Sequence, residues 1–352
     1  MIEELSITNF MAFKQLDVIF SPKINVIIGE NGTGKTHLLK AAYALCSANN
    51  EFQGAAEIRK EELERAISEK LLKLFLPADG NLGKLHRNGE VQEARLTAEF
   101  GEERGIALTF NKSSTSVEVQ ENRIYEKYSP DPVFLPTKEV LSFMEGFVSL
   151  YNKYHMPFDG TYYDLCSQLD LPLAQGERLS EKSKWAMAEI EKVVGGKFIF
   201  HGGGRVTFKT SQNEYSANTM AEGFRKAGIL SRLLETGSIQ PGVSGPLLWD
   251  EPETNTHPKL MKLLAEIILV LSRSGQQVIL ATHDYVMIKW FDLLQKREEE
   301  DHVLFHALYR ESDTGEIRLQ SVDDYRQINE NTISETFSEL YDADINKAFG
   351  SL

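Results

Sequence analysis

The stretch that decides the fold of this chain is Gly29-Glu30-Asn31-Gly32-Thr33-Gly34-Lys35-Thr36. It follows an apolar, β-branched run, Lys23–Ile28, and precedes a helix-forming segment, Leu38–Leu45. Glycines at these positions allow a sharp turn that aims consecutive backbone N–H groups at phosphate oxygens. In such a loop the lysine reaches the β- and γ-phosphates and the final hydroxyl ligates Mg²⁺. Because both the strand and the helix are present, the pattern predicts a phosphate-binding loop rather than a chance glycine-rich turn.

The predicted ligands of this loop are ATP and Mg²⁺. The nucleotide site is expected to include every residue of Gly29–Thr36 together with the adjoining His37. Lys35 is expected to act in catalysis and Thr36 to ligate the metal, because a positive charge and a hydroxyl oxygen are what triphosphate and Mg²⁺ require.

A second apolar strand, far downstream, ends in two carboxylates. Pro246–Trp249 runs directly into Asp250 and Glu251. Ligands of open α/β sheets bind beyond the carboxyl ends of the strands, and neighbouring strand residues point in different directions. We therefore predict that Asp250 holds Mg²⁺, usually through water, and that Glu251 polarises the attacking water. The alternative, an ordinary turn after a strand, loses weight because of the phosphate loop upstream.

The next buried strand, Gln277–Thr282, ends at His283. A neutral imidazole there can donate a hydrogen bond to a γ-phosphate. Histidines at strand ends are more often structural, but the spacing of one helix after the acidic strand favours a functional role. Glu251, His283 and Lys35 are thus the predicted catalytic residues.

These motifs lie near the two ends of the 352-residue chain. Strand, helix and strand follow one another over Pro246–Thr282, which predicts a parallel sheet with covering helices. We therefore predict an α/β fold with a split nucleotide domain. Residues 1–55 form its first part, residues 56–196 an inserted and mostly helical region, and residues 197–352 its second part.

Within and beside the inserted region, individual segments carry their own signals. Ser180 is a predicted helix cap and Gly195 the matching stop. Gly202-Gly203-Gly204 is typical of a hairpin turn. The other predicted segments are an amphipathic helix over Ala56–Phe75, strands and turns over Glu90–Val119, helices over Lys138–Tyr154, Tyr162–Leu169 and Ser180–Val194, strands over Lys197–His201 and Arg205–Lys209, and a helix from about Ala221.

Composition limits the partners. A net charge of −14 means that DNA binding needs a local basic patch or a partner subunit. The most apolar stretch, Leu260–Leu271, is interrupted by Lys262 and Glu266 and is too short to span a bilayer, so no membrane partner is expected. Two cysteines and an acidic N-terminus without a visible export signal predict a cytoplasmic chain.

Together, the motifs resemble a known family. The residues that carry the likeness are Ile7-Thr8-Asn9-Phe10 with Phe13, the loop Gly29–Thr36, Trp249–Glu253, Thr254–Pro258 and Ala281-Thr282-His283-Asp284, with a looser match over Val133–Leu141. The combination resembles the ABC-type ATPase heads of the RecF/SMC-like group. More closely, it resembles compact prokaryotic AAA-family ATPases with a RecF/OLD-like head, which are often found in phage-defence modules.

The resemblance implies a P-loop NTPase head with a mixed N-terminal sheet, a parallel core sheet and an inserted, mostly helical lid. It also implies an ATP-sandwich dimer, or a higher even-numbered oligomer, in which a signature motif from one subunit completes the site of the other. Ala221-Glu222-Gly223 looks like that motif, and Asn255 lies in the expected dimer-contact segment. Ala221 replaces the usual serine, which puts the hydrolysis rate in doubt. A plain amphipathic helix start is the alternative for the motif.

Two further positions stay open at this stage. The glutamine that usually senses Mg²⁺ in these heads is not evident, and Lys138 or Glu139 is the candidate for its place. Lys14 could lie by the adenine or ribose, or it could be a solvated surface lysine.

Three functions compete. The first is a slow ATPase that switches a separate nuclease or toxin effector, or a DNA transaction, in anti-phage defence; this rests on analogy. The second is an ATP-binding scaffold that barely hydrolyses, which Ala221 favours. The third is a RecF-like DNA-repair clamp, whose basic candidates Arg59, Lys60, Lys70 and Lys73 lie on a glutamate-rich helix that is more typical of a solvated face.

Overall fold

Among the residues that the structure describes, the strands form two large sheets and one small sheet. The structure, a computed structural model, describes residues 1–48, 52, 58–125, 130–154, 156–174, 179–329 and 332–349. The strands are β1 (Ile2–Phe10), β2 (Phe13–Ile19), β3 (Ile24–Gly29), β4 (Ala94–Phe100), β5 (Arg104–Phe110), β6 (Glu118–Arg123), β7 (Val133–Leu135), β8 (Lys197–Phe200), β9 (Val206–Lys209), β10 (Glu214–Ser216), β11 (Leu247–Asp250), β12 (Val278–Thr282), β13 (Val303–Arg310) and β14 (Ile317–Val322). The helices are α1 (Lys35–Ser47), α2 (Lys60–Phe75), α3 (Phe147–Lys153), α4 (Gly160–Leu169), α5 (Glu181–Val194), α6 (Glu222–Thr236), α7 (Pro258–Arg273), α8 (Tyr285–Leu294) and α9 (Thr332–Phe349).

The central sheet has the strand order β14-β13-β3-β12-β11-β7. Its pairings are parallel except at β14, which pairs antiparallel with β13. The inner strands β3, β11 and β12 are buried along their whole length, as strands covered by helices on both faces must be. The register pairs Asp250 with Ala281 and Thr282 with Ile28. The phosphate loop, the acidic pair and His283 therefore leave the same edge of one sheet, and the predicted parallel core is confirmed.

The N-terminal sheet has the order β2-β1-β4-β5-β6. All four of its strand pairings are antiparallel, so the expectation that this sheet would be mixed is wrong. Short hairpin connections join β1 to β2 and β4 to β5, and such connections produce antiparallel pairs. The mixed sheet of this fold is instead the central one, because of its edge strand β14.

The middle of the chain contributes to both large sheets. Strands β4, β5 and β6 extend the N-terminal sheet, and β7 pairs in parallel with β11 at the edge of the central sheet. Helices α3, α4 and α5 pack with α6 and the small β8–β10 sheet around a shared apolar core. The predicted boundary at residues 55/56 lies outside the described residues, and the division into 1–55, 56–196 and 197–352 stays a prediction.

Local signals account for most helix ends. The Ser180 hydroxyl accepts the Ser183 N–H at 3.0 Å, and Gly195 ends α5 in the left-handed conformation, as predicted. The predicted turn at Gly202–Gly204 is confirmed, since the His201 N–H donates to the Arg205 carbonyl across it. None of the helices in these ranges is long and apolar enough to cross a membrane.

The helix predicted over Lys138–Tyr154 is wrong in its first half. Only Phe147–Lys153 is helical, and the preceding residues form turns. Gly146 has a φ of 72°, a left-handed conformation through which an α-helix cannot continue. The Glu139 carboxylate also accepts the Ser142 N–H, which favours a local turn.

Candidate active site

The phosphate loop connects the buried end of β3 to the first turn of α1. Gly34, the residue before the helix, has a φ of 91°, and Gly32 has a φ of 82°. A side chain at Gly34 would also collide with the Phe13 ring, because its Cβ would lie 2.7 Å from that ring. The loop thus needs glycine for its backbone shape and for its packing against the turn between β1 and β2.

Lys35 is buried within the loop that it belongs to. Its ammonium group donates to the carbonyl oxygens of Gly29, at 2.7 Å, and Glu30, at 3.0 Å. Burial lowers the pKa of Lys35, and the carboxylates of Glu251 and Asp250 oppose that effect. The lysine is therefore held at the loop by the same backbone that would bind phosphate.

Thr36, Asp250 and Thr137 form a cluster of oxygen atoms beside the loop. The hydroxyls of Thr36, at 2.9 Å, and Thr137, at 3.1 Å, both donate to the Asp250 carboxylate. Asp250 is only 5% exposed; burial raises its pKa, and the two hydroxyl hydrogen bonds oppose that shift. A hydroxyl and a carboxylate side by side at a phosphate loop are the hard oxygen ligands that Mg²⁺ prefers, so the residues fit that ion.

Thr137 is a contact that the sequence reasoning missed. The segment after β7 was matched to the Mg²⁺-sensing position through Lys138 or Glu139, and it is the adjacent Thr137 that reaches Asp250. Glu139 instead forms an ion pair with Arg225, at 2.9 Å. The signal that could have found Thr137 is its place just beyond the carboxyl end of a parallel strand.

Glu251 and His283 lie together at the ends of neighbouring strands. The Glu251 carboxylate is 3.3 Å from Nδ1 of His283 and accepts the Thr254 hydroxyl at 3.2 Å. Its backbone has a φ of 50°, which is uncommon for a residue with a side chain and often marks functional sites. The His283 side chain is 44% exposed, so the pair faces open space rather than the core.

Glu253, which follows the acidic pair, fixes the end of β12. Its carboxylate accepts the Thr282 hydroxyl at 2.7 Å and the His283 N–H at 3.2 Å. Burial raises the pKa of Glu253, and its Oε2 atom is buried without a hydrogen-bond partner among the described residues. Its role was not predicted; the geometry makes it the residue that positions the backbone of His283.

Two family models match the chain, one after the other. Residues 1–164 match a family described as "AAA ATPase domain", and residues 167–289 match one described as "AAA domain, putative AbiEii toxin, Type IV TA system". The first match contains the phosphate loop and the second contains the acidic pair and His283. Both matches are to AAA ATPase families, and together with the relatives below they support an ABC-type ATPase of the RecF/SMC-like kind.

Curated relatives of this head are RecF proteins. The "DNA replication and repair protein RecF" of Ligilactobacillus salivarius is 28% identical over 111 residues, which are 29% of this chain and 28% of the relative. The protein of the same name from Oceanobacillus iheyensis is 49% identical over 49 residues, 14% of this chain and 13% of the relative. The matches thus span less than a third of the relatives' length.

Solved structures with the same fold are SMC heads. An Smc head bound to the C-winged helix domain of ScpA has a TM-score of 0.59 at 14% identity, over 92% of this chain and 98% of that chain. The SMC head domain from Thermotoga maritima has a TM-score of 0.51 at 14% identity, over 91% of this chain and 98% of that chain. At such identity the likeness shows the fold alone.

The segment resembling the signature of a RecF/SMC-like head begins α6. Ala221 is the residue before the helix, and Glu222 accepts a hydrogen bond from the Asn255 amide at 2.8 Å. A Cβ on Gly223 would lie 3.1 Å from the Asn255 carbonyl, so glycine permits this close approach. Ala221–Gly223 and Asn255 are thus brought together within one chain; their contact with the nucleotide of a second head stays a prediction.

Other predicted residues of the head have simpler surroundings. The His37 ring packs against Phe75, with ring centres 5.9 Å apart, so a contact with nucleotide would come from its backbone N–H. Lys14 forms an ion pair with Glu316 at 2.7 Å and is half exposed, which favours a surface role. Arg310, on β13, donates to the Gly32 carbonyl at 3.4 Å and was not predicted.

Proposed function

We propose that this chain is an ATP-driven switch. It binds ATP with Mg²⁺, closes into an ATP-sandwich dimer and hydrolyses the nucleotide slowly, and the cycle controls a separate effector. The observation that carries the proposal is the arrangement at one sheet edge: the Thr36–Asp250 contact beside the phosphate loop, and the Glu251–His283 pair on the adjoining strand ends. A metal-binding pair and a general base next to a phosphate loop are the requirements of phosphoanhydride hydrolysis.

In this mechanism the side chains of the chain divide the work. The backbone of Gly29–Thr36 and the Lys35 ammonium bind and neutralise the phosphates. Thr36 and Asp250 would hold Mg²⁺, which would supply further charge neutralisation. One carboxylate oxygen of Glu251 accepts the proton of the attacking water, and the other accepts a hydrogen bond from the Thr254 hydroxyl. His283, fixed by Glu253, donates to the γ-phosphate and reports its presence to α8, which begins two residues later.

The fold group and the signature-like motif on α6 support the proposed dimer. Ala221, Glu222, Gly223 and Asn255 would contact the nucleotide of the second subunit. Because Ala221 lacks the hydroxyl of a serine, we expect weak engagement and a low turnover. The expected partner is a nuclease or toxin subunit in anti-phage defence, an assignment that rests on the family resemblance.

A RecF-like DNA clamp is the second candidate, supported by the names of the curated relatives. The basic residues proposed for it are occupied: Arg59 is paired with Glu62, Lys60 with Glu64, Lys70 with Asp164 and Lys73 with Glu69. Paired lysines and arginines attract phosphate weakly, because their charges are already balanced. The switch is therefore the better-supported proposal.

The test compares wild type with Glu251→Gln, which removes the base and keeps the shape. We expect kcat to fall at least ~100-fold, the usual contribution of a general base, while ATP affinity stays within about threefold. Static light scattering should give a dimer of Glu251→Gln in ATP and a monomer without it. If both proteins form ATP-dependent dimers but hydrolyse ATP equally and negligibly, the proposed switch is contradicted and the chain is an ATP-binding scaffold.

A further inference from the structure

Two adjacent cations follow the signature segment on α6. Lys226 is 3% exposed, and its ammonium group donates to the backbone carbonyl of Glu251 at 3.2 Å. Arg225, one residue earlier, forms the ion pair with Glu139. Neither residue was assigned a role of its own from the sequence. Lys226 thus connects α6 to the backbone of Glu251, and Arg225 connects α6 to the segment whose Thr137 contacts Asp250.

The Lys226 ammonium is an unusual group to bury. Burial lowers its pKa, and the surrounding carboxylates of Glu222, Glu253 and Glu251 oppose that shift. An apolar residue could fill the same space on α6 without the cost of removing an ammonium group from water. Packing alone therefore does not explain a lysine at this position.

The carbonyl that Lys226 contacts belongs to the strained residue of the site. Glu251 has a φ of 50°, and its carbonyl also accepts the Thr254 N–H at 3.2 Å. That turn places the Thr254 hydroxyl on the Glu251 carboxylate. Fixing the carbonyl thus fixes both the backbone and the side chain of the predicted general base, since a strained conformation persists only when its surroundings hold it.

Arg225 connects α6, through Glu139, to the loop that contacts the predicted metal-binding carboxylate. Its partner Glu139 lies two residues after Thr137, whose hydroxyl donates to Asp250. One rigid helix therefore contacts the backbone next to Glu251 and the loop next to Asp250. The same helix begins at Ala221–Gly223, the segment expected to meet a second subunit.

We propose that Lys226 is a positioning residue that couples the start of α6 to Glu251, so that engagement of Ala221–Gly223 sets the geometry of the general base. This inference rests on the proposed function and concerns the regulation of that same site. The lysine acts through the Glu251 carbonyl, and it does not contact substrate. Arg225 is the parallel connection to the Asp250 side.

The test uses the full chain with Lys226→Met, Lys226→Arg and a matched control, Arg232→Met. Arg232 is also a buried cation on α6, but its guanidinium donates to the carbonyls of Leu169 and Leu171 and pairs with Glu235, away from Asp250 and Glu251. The first readout is hydrogen exchange of the nucleotide-free proteins. We expect amides of residues 251–256 to exchange about tenfold faster in Lys226→Met, the loss expected when a charged hydrogen bond is removed, and normally in Arg232→Met.

The second readout is kinetic. We expect Lys226→Met to lower kcat about tenfold or more with KM within about threefold, and Lys226→Arg to recover part of the loss. Should Lys226→Met not fold, Lys226→Gln tests the same point, because its side chain is too short to reach the carbonyl. Wild-type exchange and kcat in the folded variant, or an equal rise of exchange throughout the chain, would overturn the proposal.

The two proposals fail in different ways. A wild-type protein that does not hydrolyse ATP contradicts the proposed switch, whereas the exchange of residues 251–256 is measured without nucleotide and still decides whether Lys226 holds Glu251. If the wild type hydrolyses ATP but Lys226→Met shows unchanged exchange, the coupling through Lys226 is contradicted and the proposed switch is not.

Discussion

At the scale of single residues, His306 shows how burial sets a pH limit. It lies on β13 and is fully buried. Its Nδ1 is 2.8 Å from the Ser321 hydroxyl and its Nε2 is 3.1 Å from the Asn25 side-chain oxygen. Burial lowers the pKa of His306 from 6.5 to about 4, because the charged ring cannot be hydrated there.

This shift predicts acid sensitivity. A histidine with a depressed folded pKa binds its proton first in the unfolded state, so the free energy of unfolding falls as the pH drops from about 6.5 towards 4. Between pH 6.5 and pH 5, His306 should account for about 1.5 kcal/mol of the loss in wild type. The free energy of unfolding of His306→Gln, measured with urea over the same pH range, should lack that part of the loss. Identical pH profiles for the two proteins would contradict the assignment.

The site residues that could be predicted from the sequence are those that stand next to one another in a short motif. Lys35 and Thr36 belong to one loop, and Asp250 and Glu251 to one strand end, so a single segment reveals each pair. Thr137 and Lys226 come into the site through contacts between separate elements. Neither residue type is unusual in its local sequence, and only the packing of β7 and α6 shows which partners they have.

At the scale of elements, the contact between α6 and β8 depends on a glycine. A Cβ at Gly228 would lie 2.4 Å from the Phe198 ring, closer than real side chains approach. We expect Gly228→Ala to lower the free energy of unfolding by about 1–3 kcal/mol, the usual cost of overpacking. Thermal and urea unfolding would measure it. Ser231→Ala on the same helix is the control and should stay within about 0.5 kcal/mol of wild type.

Helices and strands with strong local signals were predictable, and those defined by distant partners were not. Ser180 and Gly195 mark both ends of α5, and its bounds are confirmed. The helix predicted from Lys138 was wrong in its first half, because the apolar spacing continues through Gly146, whose left-handed backbone precedes the first residue of α3. Strands β13 and β14 were missed, although β13 lies beside β3 in the central sheet. Their sheet partners are far away in sequence.

At the scale of the whole molecule, the order of the central sheet explains why two distant segments form one site. Strand β3 comes from the start of the chain, and β12 and β11 from its last third, yet they are neighbours in the sheet. The carboxyl ends of parallel strands meet at one edge, so the loop, the acidic pair and His283 converge there. That convergence was predictable from the motifs, whereas the antiparallel N-terminal sheet depended on hairpins that the sequence signals did not specify.

The net charge of −14 gives the proposed dimer a characteristic response to salt. Two subunits of the same charge repel each other at long range, and salt screens that repulsion. We expect the ATP-bound dimer of Glu251→Gln to be roughly three- to tenfold tighter in 300 mM than in 50 mM NaCl, measured by sedimentation velocity over a range of protein concentrations. The nucleotide-free protein should stay monomeric at both salts and serves as the control. An ATP-bound dimer that weakens as salt is added would instead mean that attraction between opposite charges holds the subunits together, and it would contradict a dimer face that shares the overall acidity of the chain.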